Sequence, residues 1–160
     1  MPKEGGYRGR AKERIALAAM NQSDYRELLL QYREIARLKP GDAGAIADVA
    51  SAHALNKDLD NAIASYRQAL ELAPGTAAYL NHLGQLLRDK GALTEAETTL
   101  HAAVKSDPQL AEAWFNLGTT YQRLAKNMEA KSAYDRFLKL DPSSPYVPLV
   151  KAYLAQMGVS

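Results

Sequence analysis

The sequence predicts an all-α fold made of stacked helical hairpins, and three repeated patterns support this prediction. Small residues recur every 34 positions, at Ala50, Gly84 and Gly118. Prolines recur with the same period, at Pro40, Pro74, Pro108 and Pro142. Within each unit, apolar residues are spaced i, i+3, i+4 and i+7, which places them on one face of a helix. A self-similar unit of this length cannot bury its apolar faces alone, so neighbouring units must stack.

The first helix of each hairpin is clearest in the stretch AEAWFNLGTTYQRL, which starts at residue 111. Its face contains Trp114, Leu117, Gly118 and Tyr121. A small residue in this face lets a second helix approach closely, because any larger side chain would hold the two backbones apart. We therefore expect Trp114 to lie between its own hairpin and the preceding unit.

The second helix of each hairpin follows a short turn, seen in the sequence as KDLD, KGAL and AKNM. In the second of these turns, the spacing of Thr94 and Glu97 predicts a capping box. In the first, Asp58 is expected to cap its helix. The periodic prolines end the second helices, since proline has no amide hydrogen and disfavours helical geometry in the residue before it.

These columns resemble the tetratricopeptide repeat. Its pattern W-x2-L-G-x2-Y, A-x3-F, P is matched with tyrosine in place of phenylalanine, at Trp114, Leu117, Gly118, Tyr121, Ala130, Tyr134 and Pro142. The resemblance implies a right-handed superhelical solenoid of helix-turn-helix hairpins. The expected division is a flexible head (1–8), a divergent repeat (9–42), three further repeats (43–76, 77–110 and 111–144) and a C-terminal capping helix (145–160).

No catalytic, cofactor or metal site is predicted. Cysteine is absent, and no glycine-rich loop follows a predicted strand. The three histidines, His53, His82 and His101, lack the spacing of a metal-binding motif. A nucleophile beside a base is also missing, so the sequence indicates a protein that is not an enzyme.

The composition predicts a protein without membrane spans. The formal net charge is +2, and no run approaches the roughly 18 apolar residues of a membrane helix. The expected compartment is the cytoplasm, or the periplasm if a targeting segment has been removed. The mild charge does not favour nucleic acid, although Arg8, Arg10, Lys12 and Arg14 form a basic cluster that leaves RNA binding as a minor alternative.

The resemblance implies that the first helices line the concave side of the solenoid and bind a partner protein or peptide there. On this face the second half of the array has amide, arginine and aromatic side chains, which can pair with a peptide backbone, grip a carboxylate and supply apolar contacts. The predicted groove residues are Asn81, Gln85, Arg88, Glu112, Phe115, Thr119, Gln122, Arg123, Tyr146, Leu149 and Tyr153. The expected ligand is an extended peptide with acidic and apolar residues, whose acidic group meets both Arg88 and Arg123.

Two further expectations concern partners. The resemblance to the tetratricopeptide repeat allows a test for one subfamily. Its chaperone-binding members carry a clamp of Lys, Asn and Arg side chains that binds a terminal carboxylate. The corresponding positions here are Ala47, Ser51, His82, Glu112 and Asn116, so no such clamp is expected. The alternative to a peptide-binding adaptor is a self-assembling structural or regulatory module of a larger protein or complex, with a homo-oligomer as its product.

Overall fold

The computed structural model describes residues 22–158, which form a succession of antiparallel α-helices with no strand in that range. The helices are α1 (Gln22–Leu38), α2 (Ala43–Leu55), α3 (Leu59–Leu72), α4 (Ala77–Lys90), α5 (Leu93–Ser106), α6 (Ala111–Arg123), α7 (Asn127–Leu140) and α8 (Val147–Gln156). The expected head (1–8), the basic cluster and the first helix of the divergent repeat lie outside the described residues.

Each helix packs against the next one in the chain, most extensively within the pairs α2–α3, α4–α5 and α6–α7. The first helices α4 and α6 also contact each other directly. This is the packing of stacked helical hairpins, in which contacts are made almost entirely between neighbours. The predicted all-α solenoid is confirmed.

The glycines of the 34-residue column are the points where the two helices of a hairpin meet. A Cβ atom built on Gly84 would lie 2.5 Å from Cγ of Leu100, and one built on Gly118 would lie 2.6 Å from Cδ1 of Tyr134. Both neighbouring side chains are completely buried. The small residues are therefore required by close approach, as the sequence indicates.

The turns inside the hairpins share one backbone feature that the sequence did not suggest. Lys57, Gly91 and Ala125 occupy equivalent positions 34 residues apart, and all have positive φ angles (59°, 90° and 57°). A left-handed residue reverses the chain within a few residues, and it favours glycine because a side chain is strained there. Only one of the three turns has glycine at this position.

The predicted helix starts are partly correct. The Asp58 side chain caps α3 by accepting a hydrogen bond from the amide of Asn61 at 3.3 Å. The predicted capping box of Thr94 is wrong, because α5 begins at Leu93 and has no side-chain cap. Glu97 instead forms an ion pair with Lys126 at 2.8 Å.

The buried residues form two clusters along the solenoid, one across α2 to α5 and one across α5 to α8. Trp114 is half-buried against the second cluster, and its indole Nε1 donates a hydrogen bond to the carbonyl oxygen of Pro108 at 3.0 Å. The ring thus contacts the segment that leads from the preceding repeat, as predicted. Val150 and Leu154 of α8 complete the cluster at the other end.

Candidate partner-binding groove

The first helices α2, α4, α6 and α8 stand in equivalent positions of successive units. We use the word groove for the face marked by the eleven predicted residues on α4, α6 and α8, together with the equivalent positions of α2. The face is small on α2, where Gly44 and Ser51 are half-buried and Ala47 is buried. Larger polar and aromatic side chains begin on α4 and continue to α8. The structure places each of the eleven predicted groove residues on α4, on α6, or in and just before α8.

A network of side-chain hydrogen bonds joins α4 to α6 beneath this face. Nδ2 of Asn116 donates to Oδ1 of Asn81 at 2.8 Å. Nη1 of Arg88 donates to Oδ1 of Asn116 at 2.9 Å and to Oγ1 of Thr119 at 2.5 Å. Asn81 is 1% exposed and Asn116 is 3% exposed. The expectation that Asn81 reaches a partner therefore fails, because its amide is buried and paired between two helices.

Arg88 belongs to the same internal network, although its place on the helix predicts a role in ligand binding. Its guanidinium also pairs with Oδ1 of Asp89, at 3.2 Å from Nε and 3.1 Å from Nη2, and its side chain is 13% exposed. The adjacent carboxylate neutralises the charge, and the hydrogen bonds fix the side chain. Arg88 and Arg123 thus do not form the converging pair of cations that the sequence suggested.

Arg123 has a different environment at the end of α6. It is exposed, and its Nη1 donates a hydrogen bond to the backbone carbonyl of Arg88 at 2.6 Å. Among the residues that the structure describes, it forms no ion pair with a carboxylate. A guanidinium has five N–H donors, so most of the donors of Arg123 remain open to a ligand.

Gln122 is half-buried and is oriented by its own hydrogen bond. Oε1 of Gln122 accepts from the hydroxyl of Tyr134 at 2.9 Å, and burial raises the pKa of that hydroxyl. Within the described residues, the amide nitrogen of Gln122 has no hydrogen-bond partner and is left as a donor. Gln85 is half-buried and Glu112 is exposed, and neither makes a side-chain hydrogen bond within the described part of the chain.

Aromatic rings gather where α8 joins the array. Phe115 stacks on Tyr146 with ring centroids 4.8 Å apart and also contacts Phe137 at 5.4 Å. Tyr153 contacts Tyr134 at 6.1 Å. Phe115 and Tyr153 therefore attach α8 to the preceding hairpin, whereas the sequence predicts that they contact a ligand.

Two residues of this end still offer apolar surface to a partner. Tyr146 is 50% exposed, and Leu149 is 40% exposed. Tyr146 is stacked on the ring of Phe115. A tyrosine held by a fixed aromatic ring, with an exposed leucine three residues later, offers contact area to an apolar side chain.

Two histidines outside the groove, His53 and His101, have structural partners. Nδ1 of His53 lies 3.1 Å from Oδ2 of Asp58, and a hydrogen bond from the Asn61 side chain holds the pKa of that carboxyl below its usual range. Nε2 of His101 is hydrogen-bonded to the Tyr121 hydroxyl. Burial raises the pKa of the Tyr121 hydroxyl. No cluster of three potential metal ligands occurs between residues 22 and 158.

Sequence models of the tetratricopeptide repeat match residues 43–76, 84–124 and 111–144. The helix pairs, the repeated close contacts and the match together define the class of protein, a helical-repeat solenoid. The chain belongs to the tetratricopeptide repeat family.

Two curated relatives show how much of the chain is shared. The chain is 31% identical over 109 residues to the mouse protein O-mannosyl-transferase TMTC1, covering 66% of this chain and 11% of the relative. It is 33% identical over 113 residues to the photosystem I assembly protein Ycf3 of Synechococcus sp. (strain WH7803), covering 66% of this chain and 65% of the relative. The chain thus spans about a tenth of the first relative and just under two thirds of the second.

Solved structures show the same fold. The crystal structure of MamA superposes with a TM-score of 0.76 at 16% identity, covering 99% of this chain and 88% of that one. The first tetratricopeptide repeat domain of Spaghetti (RPAP3), solved with the HSP90 peptide SRMEEVD, superposes with a TM-score of 0.70 at 20% identity. That match covers 74% of this chain and 94% of the other chain. In the described part of this chain, no helix is long and apolar enough to cross a membrane.

Proposed function

We propose that this protein is an adaptor that binds an extended segment of a partner protein in the groove, chiefly along α6 and α8. The observation that supports the proposal is a contrast within one face: some of its side chains are hydrogen-bonded between helices, and others have open donors or exposed apolar surface. Asn81, Arg88 and Asn116 are committed to holding the helices together, while Arg123, Gln122, Tyr146 and Leu149 keep open donors or exposed apolar surface.

Family membership supports the same function. Tetratricopeptide repeat proteins are in general protein-interaction modules and non-enzymatic scaffolds, and their extended faces suit elongated ligands. The RPAP3 domain, with a similar fold, was solved with a peptide bound. Because one fold hosts many partners, the ligand of this chain must be argued from its own residues.

The chemistry of the open residues favours a ligand with acidic and apolar side chains. Arg123 can grip a carboxylate, and the Gln122 amide can donate to a backbone carbonyl. Tyr146 and Leu149 can bury an apolar side chain. The positions of the chaperone clamp are occupied by Ala47, Ser51, His82, Glu112 and Asn116, so a peptide ending in Glu-Glu-Val-Asp should not bind strongly.

A selection experiment tests the proposal. Twelve-residue peptides selected for binding from a random displayed library should lose affinity for the Arg123→Glu and Tyr146→Ala variants. They should keep it for Arg136→Glu, which makes the same charge reversal on an exposed residue of the second helix α7. Selected peptides that bind all three variants equally would place the binding surface elsewhere and overturn the proposal.

Self-assembly is a second candidate, because α1 exposes apolar side chains. Leu30 is 66% exposed, Leu38 is 64% exposed and Ile35 is 44% exposed. Light scattering over a range of concentrations tests this function. A dimer or larger species that the Leu30→Glu change disperses would support it, and a monomer at every concentration would refute it.

A further inference from the structure

His53 is a buried histidine that links three parts of the chain. It lies near the end of α2 and is 3% exposed. Its Nδ1 lies 3.1 Å from Oδ2 of Asp58, in the turn before α3, and its Nε2 lies 3.4 Å from Nη2 of Arg33 on α1. One imidazole ring thus contacts a carboxylate on one side and a guanidinium on the other.

The two partners determine which nitrogen of the His53 ring carries a proton. An ionised carboxylate only accepts hydrogen bonds, and a hydrogen bond from the Asn61 side chain holds the pKa of the Asp58 carboxyl below its usual range. A guanidinium only donates, so Nε2 of His53 must accept from Arg33. Both contacts are satisfied only when His53 is neutral and carries its proton on Nδ1.

A proton added to Nε2 would break the contact with α1. The new N–H group would point at the guanidinium of Arg33, which has no lone pair to accept it. The two positive charges would also repel each other beside a buried ring. The contact with Asp58 would remain, because a charged ring still donates from Nδ1 to the carboxylate. Protonation therefore weakens the attachment of α1 and leaves the turn before α3 in place.

The other titratable side chains given for this corner do not offset the added charge. Tyr25 of α1 and Lys57 line a shallow depression beside the turn, and neither is an anion near neutral pH. Two carboxylates of the neighbouring helices, Glu34 of α1 and Asp60 of α3, already have cationic partners. The charge state of His53 thus decides whether the contact with α1 is attractive or repulsive.

The attachment of α1 to the solenoid is open to such control because its other contacts are limited. Among the described helices, α1 packs chiefly on α2. Ala36 of α1 packs on the buried cluster of α2 to α5, whereas Leu30 and Leu38 are mostly exposed. Elements with few buried apolar contacts are the ones that open most readily. The contact between Arg33 and His53 is therefore a substantial part of what holds this helix.

His101 provides a contrast within the same chain. Its Nε2 is hydrogen-bonded to the hydroxyl of Tyr121. A hydroxyl can donate or accept, so it can reverse its role when the histidine gains a proton. A guanidinium cannot do so. Of these two histidines, only His53 has a partner that makes protonation disruptive.

We propose that His53 is a pH switch that holds α1 on α2 near neutral pH and releases the helix in mild acid. Histidine ordinarily changes its charge between about pH 5 and 8. A proton binds more readily when α1 is detached, because the detached state has no guanidinium at Nε2, so acid favours detachment. The released helix uncovers the part of the apolar cluster that Ala36 covers. The switch does not depend on the proposed peptide binding.

Hydrogen exchange of the backbone amides tests the switch. It is followed by NMR on the full ¹⁵N-labelled chain at about pH 7.5 and about pH 5.5, on either side of the ordinary titration of histidine. Rates are converted to protection factors, because the intrinsic exchange rate itself depends on pH. The amides of α1 should lose about tenfold in protection at the lower pH, relative to those of α7, the effect of losing one hydrogen bond to a charged group.

Three variants assign the effect to its groups. The His53→Leu change introduces the residue type of the equivalent position Leu87, which is buried in the next repeat. This side chain cannot take up a proton, so the protection of α1 should no longer depend on pH. Arg33→Met removes the guanidinium from an exposed side chain and should also abolish the difference. His101→Gln removes the other hydrogen-bonded histidine and should leave the tenfold difference in place.

The ring of His53 gives a second, independent measurement in the unmodified protein. Long-range ¹H–¹⁵N spectra distinguish the two neutral tautomers from the charged ring, and at about pH 7.5 they should show the proton on Nδ1 alone. A proton on Nε2 at this pH would overturn the proposal. Equal protection of α1 at both pH values would do so as well, as would a pH-dependent loss that persists in the His53→Leu protein.

Discussion

Adding a methyl group at Gly118 should destabilise the protein, although alanine is intrinsically the better helix former. The added Cβ would lie 2.6 Å from both Cδ1 and Cε1 of Tyr134, whereas ordinary contacts of such atoms begin near 3.4 Å. The ring or the helix must therefore move by about 0.8 Å, the difference between these distances. Tyr134 has little freedom to move, because it is fully buried and its hydroxyl is bonded to Gln122.

The magnitude follows from two opposing terms. Overpacking a well-packed core costs about 1–3 kcal/mol, and replacing glycine by alanine inside a helix returns about 1 kcal/mol. For Gly118→Ala we expect a net loss of about 1 kcal/mol. For Gly118→Leu we expect about 2–4 kcal/mol, because the larger side chain separates the two helices and moves Trp114 from its neighbours.

Urea denaturation followed by far-ultraviolet circular dichroism measures these losses as shifts of the midpoint. Gly41→Ala is the matched control, since nothing lies within 4 Å of its added Cβ and its φ is not positive. This control should leave the midpoint nearly unchanged or raise it slightly. A Gly118→Ala protein as stable as the wild type would show that the close contact of α6 and α7 does not limit packing.

Three further predictions address the cap, the terminal helix and the network. Asp58→Ala should cost about 1 kcal/mol at pH 7. The hydrogen bond from Asn61 lowers the pKa of Asp58. The difference in unfolding free energy between variant and wild type should therefore persist above about pH 4 and shrink as the pH falls further, as measured by urea denaturation at a series of pH values. Deleting 145–160 should expose the apolar side of the last hairpin and produce dimers or aggregates in light scattering, whereas a monomer with an unchanged melting temperature would contradict this. Arg88→Ala should cost about 1–3 kcal/mol in urea denaturation, because it leaves the amide oxygen of Asn116 without its donor, and a neutral result would contradict the network.

The positions of the helices could be predicted from the sequence because the repeat enforces them. Three kinds of residue recur at fixed spacing: a small residue, the aromatic residue or leucine that covers it, and a proline. Close approach of two helices requires the first two, and helix termination requires the proline. The capping box at Thr94 has the correct spacing in the sequence but does not form. The helix begins at Leu93, and Glu97 instead forms an ion pair with Lys126 of the next repeat, a contact that spacing within one repeat does not reveal.

The groove was only partly predictable, because helical periodicity gives the direction of a side chain but not its partners. Asn81, Gln85 and Arg88 lie on one stripe of α4. Asn81 is nevertheless buried, and it accepts a hydrogen bond from Asn116 of the next repeat. The sequence pattern gives Asn116 no role beyond its place at a position of the chaperone clamp. Its role depends on a contact between residues 35 positions apart, which becomes visible when the repeats are stacked.

The sequence by itself determined the class of fold, the length of the repeat and the residues at which helices approach most closely. These features depend on spacing along one chain, and spacing is preserved in every unit. Tertiary structure decided which polar residues of the groove remain open. Arg88 and Arg123 are the same residue type near the ends of successive first helices, but stacking places an amide and a hydroxyl around the first, and its neighbour Asp89 adds a carboxylate. Among the described residues, the second donates to a backbone carbonyl and pairs with no carboxylate, so its charge is not neutralised there.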